Sequence, residues 1–554
     1  MGDPSQAKLN SLLEHYQNGR FGDAEKLAIS VTRQFPQHQF SWKILGAILQ
    51  QTGRMSESVV VNQKSIELTP QDAEAHYNFG MTLNYLGRLE EAEASYRQAI
   101  SLNPDIAQAH SNLGNTLQEL GRLEEAEASY RQAIEVKPDY AEAYSNLGNT
   151  LQELGKLEEA EASHRKTIAL KPNYVPVYNN LGDTLRDLGR LEEAEASYRK
   201  AIALKPDYAK AHNNLGITLN AMGLKDSALL HFKKNLYLER GKNPVNPRHK
   251  SFRLISKAKI DHDIEQFEYL AASGYEVKKF QDLATLYKTV SSEINYPSDT
   301  GTLPLSDKHQ NLLGDTYNRP IHILEAPAVD ESSLNDSLDV NKITEDYFEH
   351  EFGLTYFDDF LSLASLKSLR KFLLGSTIWY DFFHTGGYMG AYLKDGLASP
   401  LMLQIADDIR KKFPKIFKNY HLAQLWAYKY DSRAFDKNNT FSGINVHADF
   451  AAINVNFWIT PESANLDPSS GGLVVYNAEA SLEWDFKKYN RIEKKIREDI
   501  QNNDQKKTIV SYNENRAVMF NSNLFHETDK IEFKEGYENR RINITMLFGK
   551  RGLK

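Results

Sequence analysis

The chain has 554 residues, of which 41% are hydrophobic and 25% charged, with a formal net charge of -8. Such a chain is too long for one core, and its acidic balance gives no general electrostatic case for nucleic acid or an anionic membrane. It contains no cysteine, which removes disulfides, zinc-thiolate sites, iron–sulfur clusters and thiol nucleophiles.

The opening stretch, Met1 to Gln6, shows no basic region followed by an apolar one, so no signal peptide is expected. Gln6 stands where a myristoylation signal wants Ser or Thr, and no apolar run is long enough to cross a bilayer. With the absence of cysteine, these features lead to the expectation of a cytoplasmic protein.

Internal repetition dominates residues 5–238. Gly46, Gly80, Gly114, Gly148, Gly182 and Gly216 recur every 34 residues, and Pro36, Pro70, Pro104, Pro138, Pro172 and Pro206 share that period. Ala24, Ala92, Ala126, Ala160, Ala194 and Ala228 keep the same register, with Ser58 as the one substitution. Leu-Glu-Glu-Ala-Glu-Ala-Ser-Tyr-Arg begins at Leu89, Leu123 and Leu191, and with one change at Leu157. Small residues at fixed offsets let two helices approach closely, and proline stops the second helix before the next unit. The pattern resembles the tetratricopeptide repeat, with about seven units in residues 1–238.

Residues 239–345 carry mixed signals. Gly241 to Pro247 reads as a break, 259–293 as helical, 296–304 as turn-rich and 327–341 as an exposed linker. A connector is expected here. Residues 346–554 turn towards strands. The segments 422–430, 452–460, 472–476, 516–520 and 541–548 read as β, preceded by amphipathic helices at 357–374 and 400–413.

The C-terminal segment contains His447-Ala448-Asp449, Gly471-Gly472-Leu473, Ala517-Val518-Met519-Phe520, His526 and Arg540-Arg541. In this order they resemble the double-stranded β-helix domain of the 2-oxoglutarate- and iron(II)-dependent oxygenases, near the prolyl-hydroxylase-like branch. The glycine strand lacks the family's spacer before Leu473, and Asn543 stands where the family usually has Ser. The fold expected is therefore multidomain: an all-α tetratricopeptide solenoid, a mixed connector and a jelly-roll domain.

The chemistry of the residues agrees with the resemblance. Two imidazoles and one carboxylate can hold one face of an iron(II) ion and leave positions open for a keto acid and dioxygen. On one strand His447 and Asp449 point the same way, while His526 arrives from another. Arg541 and Asn543 alternate with Ile542, Ile544 and Met546, so Arg541, rather than Arg540, is expected to face the cavity and grip the distal carboxylate of 2-oxoglutarate. Tyr430, with Tyr428 and Trp426 on the same face, resembles the strand tyrosine that helps to bind the keto acid. Residues 479–507 read either as a solvated helical insertion or as a lid.

In the repeat family, the first helix of each unit lines a groove. Asn78, Asn112, Asn146, Asn180 and Asn214 recur two residues before each glycine. An amide side chain matches the backbone of an extended peptide, so these residues resemble a peptide-holding asparagine ladder; the competing role is bracing the neighbouring helix. Glu119, Glu153 and Asp187 favour a basic or polar ligand in the same groove.

The resemblance implies an iron(II)- and 2-oxoglutarate-dependent dioxygenase that uses dioxygen, with ascorbate as an optional auxiliary. It would hydroxylate a C–H bond of a protein or peptide side chain recruited by the repeats. The metal ligands would be His447, Asp449 and His526; Arg541, Asn543 and Tyr430 would bind the cosubstrate. Two other readings are a binding scaffold with an inactive or sensory jelly-roll, and an oxygenase for a small or carrier-bound molecule.

Overall fold

A computed structural model describes residues 3–298, 301–384, 387–418, 420–432, 444–481, 493–502 and 506–550. The chain divides into two compact units, Met1–Leu204 and Lys205–Lys554.

In the first unit the 34-residue period becomes six antiparallel helical hairpins: α1 (Gln6–Gln17) with α2 (Phe21–Gln34), α3 (Gln39–Gln51) with α4 (Met55–Leu68), α5 (Ala73–Tyr85) with α6 (Leu89–Leu102), α7 (Ala107–Glu119) with α8 (Leu123–Val136), α9 (Ala141–Glu153) with α10 (Leu157–Leu170), and α11 (Val175–Asp187) with α12 (Leu191–Leu204). The periodic glycine inside each first helix is a matter of space. A Cβ on Gly114 would lie 2.7 Å from the ring of Tyr130 on the partner helix. A second glycine closes each hairpin; Gly121, at φ +76°, adopts the left-handed conformation that other residues resist. Leu113, Leu117, Tyr130, Leu147 and Leu151 build a continuous core between neighbouring hairpins.

The seventh hairpin, α13 (Ala209–Ala221) with α14 (Lys225–Arg240), belongs to the second unit. Repetition in the sequence therefore runs past the end of the first unit. Partly buried contacts explain the attachment of α14. Arg240 Nε donates to Asp395 Oδ1 at 2.8 Å, and Asn235 Nδ2 to the carbonyl of Lys394 at 2.7 Å.

A two-residue pair, β1 (Leu254–Ile255) with β2 (Leu303–Pro304), accompanies helices α15 (Lys257–Ala272), α16 (Val277–Ser292), α17 (Asp307–Leu313) and α18 (Val340–Glu349). The helical stretch predicted at 259–293 is two helices, since Ser273 ends α15 and Gly274 turns at φ +84°. The predicted linker 327–341 is pinned in part: Ser333 and Leu334 are buried, and Leu334 bridges Leu361.

The strands are β3 (Leu354–Phe357), β4 (Met389–Tyr392), β5 (Leu422–Tyr430), β6 (Ile453–Trp458), β7 (Leu473–Glu479), β8 (Lys507–Val510), β9 (Ala517–Asn521), β10 (Leu524–Thr528) and β11 (Arg541–Phe548). They form two antiparallel sheets, one of order β3-β9-β6-β11-β5-β4 and one of order β10-β7-β8. Both contribute to one core that includes Tyr430, Trp458, Leu473, Val475, Phe520 and Leu524. Helices α19 (Leu363–Gly375), α20 (Pro400–Lys412) and α21 (Pro414–Phe417) precede β5. The helix predicted from residue 357 begins at Leu363, because Phe357 closes a strand and Ser362 caps the helix on Ser365 N.

Of the predicted insertion at 479–507, residues 482–492 and 503–505 lie outside the described residues, and the lid reading falls largely on them. Helix α22 (Glu493–Asn502) buries Ile496 and Ile500 against Val446, Ala448 and Phe525, behind the segment that carries His447.

Candidate metal centre

His447 and Asp449 do not sit on a regular strand, contrary to the alternation argument. They lie on an irregular segment stitched to β10 and the turn before it. His447 N donates to His526 O at 3.0 Å, His526 N to His447 O at 2.8 Å, and Asp449 N to Ser522 O at 3.0 Å. This pairing brings the three side chains together. His526 Nε2 is 3.4 Å from Asp449 Oδ2, and His447 Nε2 is 3.8 Å from Asp449 Oδ1. All three ligand atoms lie within 4.8 Å of one another.

Each imidazole is turned by its own backbone. His447 Nδ1 lies 2.8 Å from Asn445 O, and His526 Nδ1 lies 3.0 Å from Leu524 O. An Nδ1–H donated to each carbonyl leaves a lone pair on Nε2, the atom that faces the carboxylate. Burial, aided by the nearby His526, lowers the His447 pKa to about 4, so the ring is neutral at neutral pH. For Asp449 burial acts upward. The two imidazoles beside it and the Asn454 amide outweigh it and hold the carboxyl below its usual value.

Behind Asp449 runs a row of buried amides, of which the sequence reading missed Asn454 and Asn456. Asn454 Nδ2 donates to Asp449 Oδ2, and Asn456 Nδ2 to Asn454 Oδ1 at 2.6 Å. Asn543 Nδ2 and Thr545 Oγ1 both reach Asn456 Oδ1, at 3.0 and 2.6 Å. The signal was available: Asn454 and Asn456 alternate with Ile453, Val455 and Phe457 along one strand, marking a polar face.

The triad opens into a cavity of about 840 Å³ whose walls include Arg541, Asn543, Tyr430, Tyr428, Trp426 and Asn456. Arg541 is 1% exposed, lies 4.9 Å from the ring centre of Tyr430 and donates from Nε to Gly471 O at 2.6 Å and from Nη2 to Gly472 O at 3.1 Å. Its Nη1 has no hydrogen-bond partner among the described residues. Arg540 points the other way, into ion pairs with Glu265 (2.8 Å) and Asp431 (2.7 Å). Asn543 Nδ2 donates to Asn456 Oδ1 and also to Thr545 Oγ1 at 3.1 Å, so both of its N–H groups are engaged within the cavity wall.

Four further wall residues come from a stretch without periodicity: Phe383, His384, Tyr388 and Tyr392. Beside them Asp381 accepts from Tyr392 Oη at 2.7 Å and lies 3.0 Å from His384 Nε2. Burial works upward on Asp381, but His384 and Tyr392 hold its pKa near about 2.

In the repeats, Asn146 Nδ2 donates to Asn115 Oδ1 of the preceding hairpin at 2.9 Å, and Asn180 Nδ2 to Asn149 Oδ1 at 2.8 Å. Asn112 Nδ2 reaches Tyr77 Oη at 3.3 Å. These amides do bracing work between hairpins. Asn78 is half-buried on α5, and Asn214 is buried in the second unit.

Comparison with known proteins bears on this repeat region. Models described as tetratricopeptide repeat or TPR repeat match residues 62–94, 80–121, 105–173, 165–196 and 182–223. These are tetratricopeptide repeats. No curated protein matches the chain significantly. Among solved structures, MamA is 27% identical, with 29% of this chain and 94% of that chain covered, at a TM-score of 0.28. YrrB, described as a TPR protein with an unusual peptide-binding site, is 21% identical, with 33% and 95% covered, at a TM-score of 0.31. MamA from Desulfovibrio magneticus RS-1 is 22% identical, with 31% and 97% covered, at a TM-score of 0.30. Among the described residues, no helix is long and apolar enough to cross a membrane.

Proposed function

We propose that the second unit is a jelly-roll oxygenase that uses iron(II), 2-oxoglutarate and dioxygen to hydroxylate a C–H bond on a protein or peptide side chain. The observation that carries this reading is the meeting of His447, Asp449 and His526, with ligand atoms within 4.8 Å, in a cavity that also holds the unsatisfied Nη1 of buried Arg541. The donor set fits iron(II): two imidazole nitrogens and one carboxylate, with no fourth His, Cys, Asp or Glu in the group among the described residues. When bound there, iron(II) would supply the dioxygen chemistry by which 2-oxoglutarate becomes succinate and carbon dioxide while one oxygen atom enters the substrate.

The protein's own residues set the conditions. The carbonyls of Asn445 and Leu524 fix both imidazoles with Nε2 towards the ion. The amide row Asn454–Asn456–Asn543 fixes the carboxylate. Arg541, clamped by Gly471 and Gly472 and flanked by Tyr430 and Trp458, would present its spare N–H to the distal carboxylate of 2-oxoglutarate. Burial lowers the Arg541 pKa, opposed by Tyr430 and Tyr512, so an anion entering the cavity gains a partner that has little other counter-charge. Tetratricopeptide repeats supply surfaces for a protein or peptide, which supports a macromolecular substrate over a free small molecule.

The test is conversion of labelled 2-oxoglutarate to labelled carbon dioxide by the purified full-length chain with iron(II) under air. Turnover should be lost in Asp449→Ala. Equal release by wild type and variant, or none from folded wild type, would leave the binding-scaffold reading in its place.

A further inference from the structure

We infer that the second unit carries an anion-binding vestibule beside the metal cavity, and that it takes the carboxylates of an acidic peptide segment. That this segment flanks the residue to be hydroxylated rests on the oxygenase reading; the binding itself does not.

A second cavity, of about 490 Å³, is lined by Arg240, His249, Lys250, Lys394, Asp381 and Asp395 among others. It shares the walls Phe383, His384, Tyr392 and Gln424 with the metal cavity, so the two adjoin. Its charges are unevenly balanced. Arg240 and Asp395 neutralise each other at 2.8 Å, and Asp381 is held by Tyr392 and His384. Lys250 and Lys394 are exposed, and neither has a carboxylate within ion-pair distance among the described residues. Lys250 Nζ instead sits 4.2 Å from the ring centre of Phe383, on the shared wall.

The adjoining loop deepens the asymmetry. Residues 242–253 carry Lys242, Arg248, His249, Lys250 and Arg253 and no acidic residue, in a chain whose formal net charge is -8. Of these, His249 and Lys250 line the cleft, and unpaired cations at such a wall concentrate anionic ligands and speed their capture. The two lysines lie on separate segments, which suits carboxylates spread along a peptide better than one compact anion. Because the cavities share Phe383, His384, Tyr392 and Gln424, the neighbours of a side chain held in the metal cavity would be within reach of this wall.

The test uses the full-length protein without metal and fluorescence anisotropy of three labelled peptides on one Gly-Ser-Pro-Asn scaffold, bearing glutamates, lysines or neither. The glutamate peptide should bind most tightly and weaken as sodium chloride rises. Its affinity should fall about tenfold in Lys250→Glu/Lys394→Glu, and less, in the same direction, in Lys250→Gln/Lys394→Gln. Circular dichroism identifies a misfolded variant, in which case the glutamine pair decides. Equal binding of the three peptides, or binding unchanged in the folded variants, overturns the proposal. So does displacement by inorganic phosphate far beyond that by chloride at equal ionic strength, which would mark a phosphate site. A failed peptide test alongside intact keto-acid binding by wild-type protein overturns the vestibule alone. Selective peptide binding without keto-acid binding leaves the vestibule standing and overturns the oxygenase reading.

Discussion

Replacing His164 by tyrosine should make the repeat unit far less sensitive to acid. His164 occupies the position that is Tyr96, Tyr130 and Tyr198 in neighbouring hairpins, packed on a glycine whose Cβ would fall 2.5 Å from the ring. The ring is fully buried, and neither nitrogen has a hydrogen-bond partner among the described residues. Burial lowers its pKa from 6.5 to about 4. Because the folded pKa is depressed below the unfolded one, the unfolded chain takes up the proton first as pH falls. Stability is then lost between about pH 6.5 and 4, and the shift corresponds to about 3 kcal/mol. Tyr130 and Tyr198 show what the wild-type hairpin lacks, since they donate to Asn115 Oδ1 at 2.7 Å and Asp183 Oδ1 at 2.8 Å. Asn149 is the matching acceptor, so His164→Tyr should add about 1 kcal/mol even at neutral pH. Hydrogen exchange of segments in α9 and α10, corrected for intrinsic rates, measures local opening at both pH values. The gain from the substitution should grow by about 2–3 kcal/mol between pH 7.5 and 4.5. An equal gain at both would refute the account of a neutral, unpartnered imidazole.

Other outcomes follow from particular contacts. Gly114→Ala forces a Cβ into the Tyr130 ring and should destabilise by about 1–3 kcal/mol in thermal unfolding; an unchanged Tm would contradict the close approach. Asn454→Ala frees the Asp449 carboxylate and should weaken iron(II) affinity about tenfold to a hundredfold, measured by anaerobic titration calorimetry. Arg541→Gln should weaken 2-oxoglutarate binding by a similar factor, and Arg541→Lys should recover little, since only guanidinium spans both glycine carbonyls with an N–H to spare; wild-type affinity in either would exclude this residue as the anchor. Asp395→Ala removes the ion-pair partner of half-buried Arg240 and should cost about 1–3 kcal/mol in urea unfolding, most of it restored by adding Arg240→Met.

The hairpins were readable because one period set glycine, alanine and proline together, and each has a separate steric task. The end of the first unit was not, because Gly216 and Phe232 repeat the pattern of Gly114 and Tyr130 although α13 and α14 pack within the second unit. Long strands such as β5 and β11 announced themselves by alternation. Short ones did not: β10, which carries His526, follows an Asn-Ser-Asn turn and is only Leu524–Thr528. The order of His447, Asp449, His526 and Arg541 was visible, but their convergence depends on backbone bonds between an irregular segment and β10 that no spacing rule contains. The side of the cavity built by His384, Tyr388 and Tyr392 had no periodic signal, and its roles come from packing alone.

The central claim is most directly tested by adding iron(II) and then 2-oxoglutarate to the wild-type protein under strict anaerobiosis and recording the visible spectrum. The weak charge-transfer absorption of a chelated keto acid should appear, saturate at one equivalent of iron per chain, and be absent in His526→Ala. Correctly folded wild-type protein that binds no iron, or that gives the same spectrum as His526→Ala, would contradict the claim that the three side chains and Arg541 form one oxygen-activating centre.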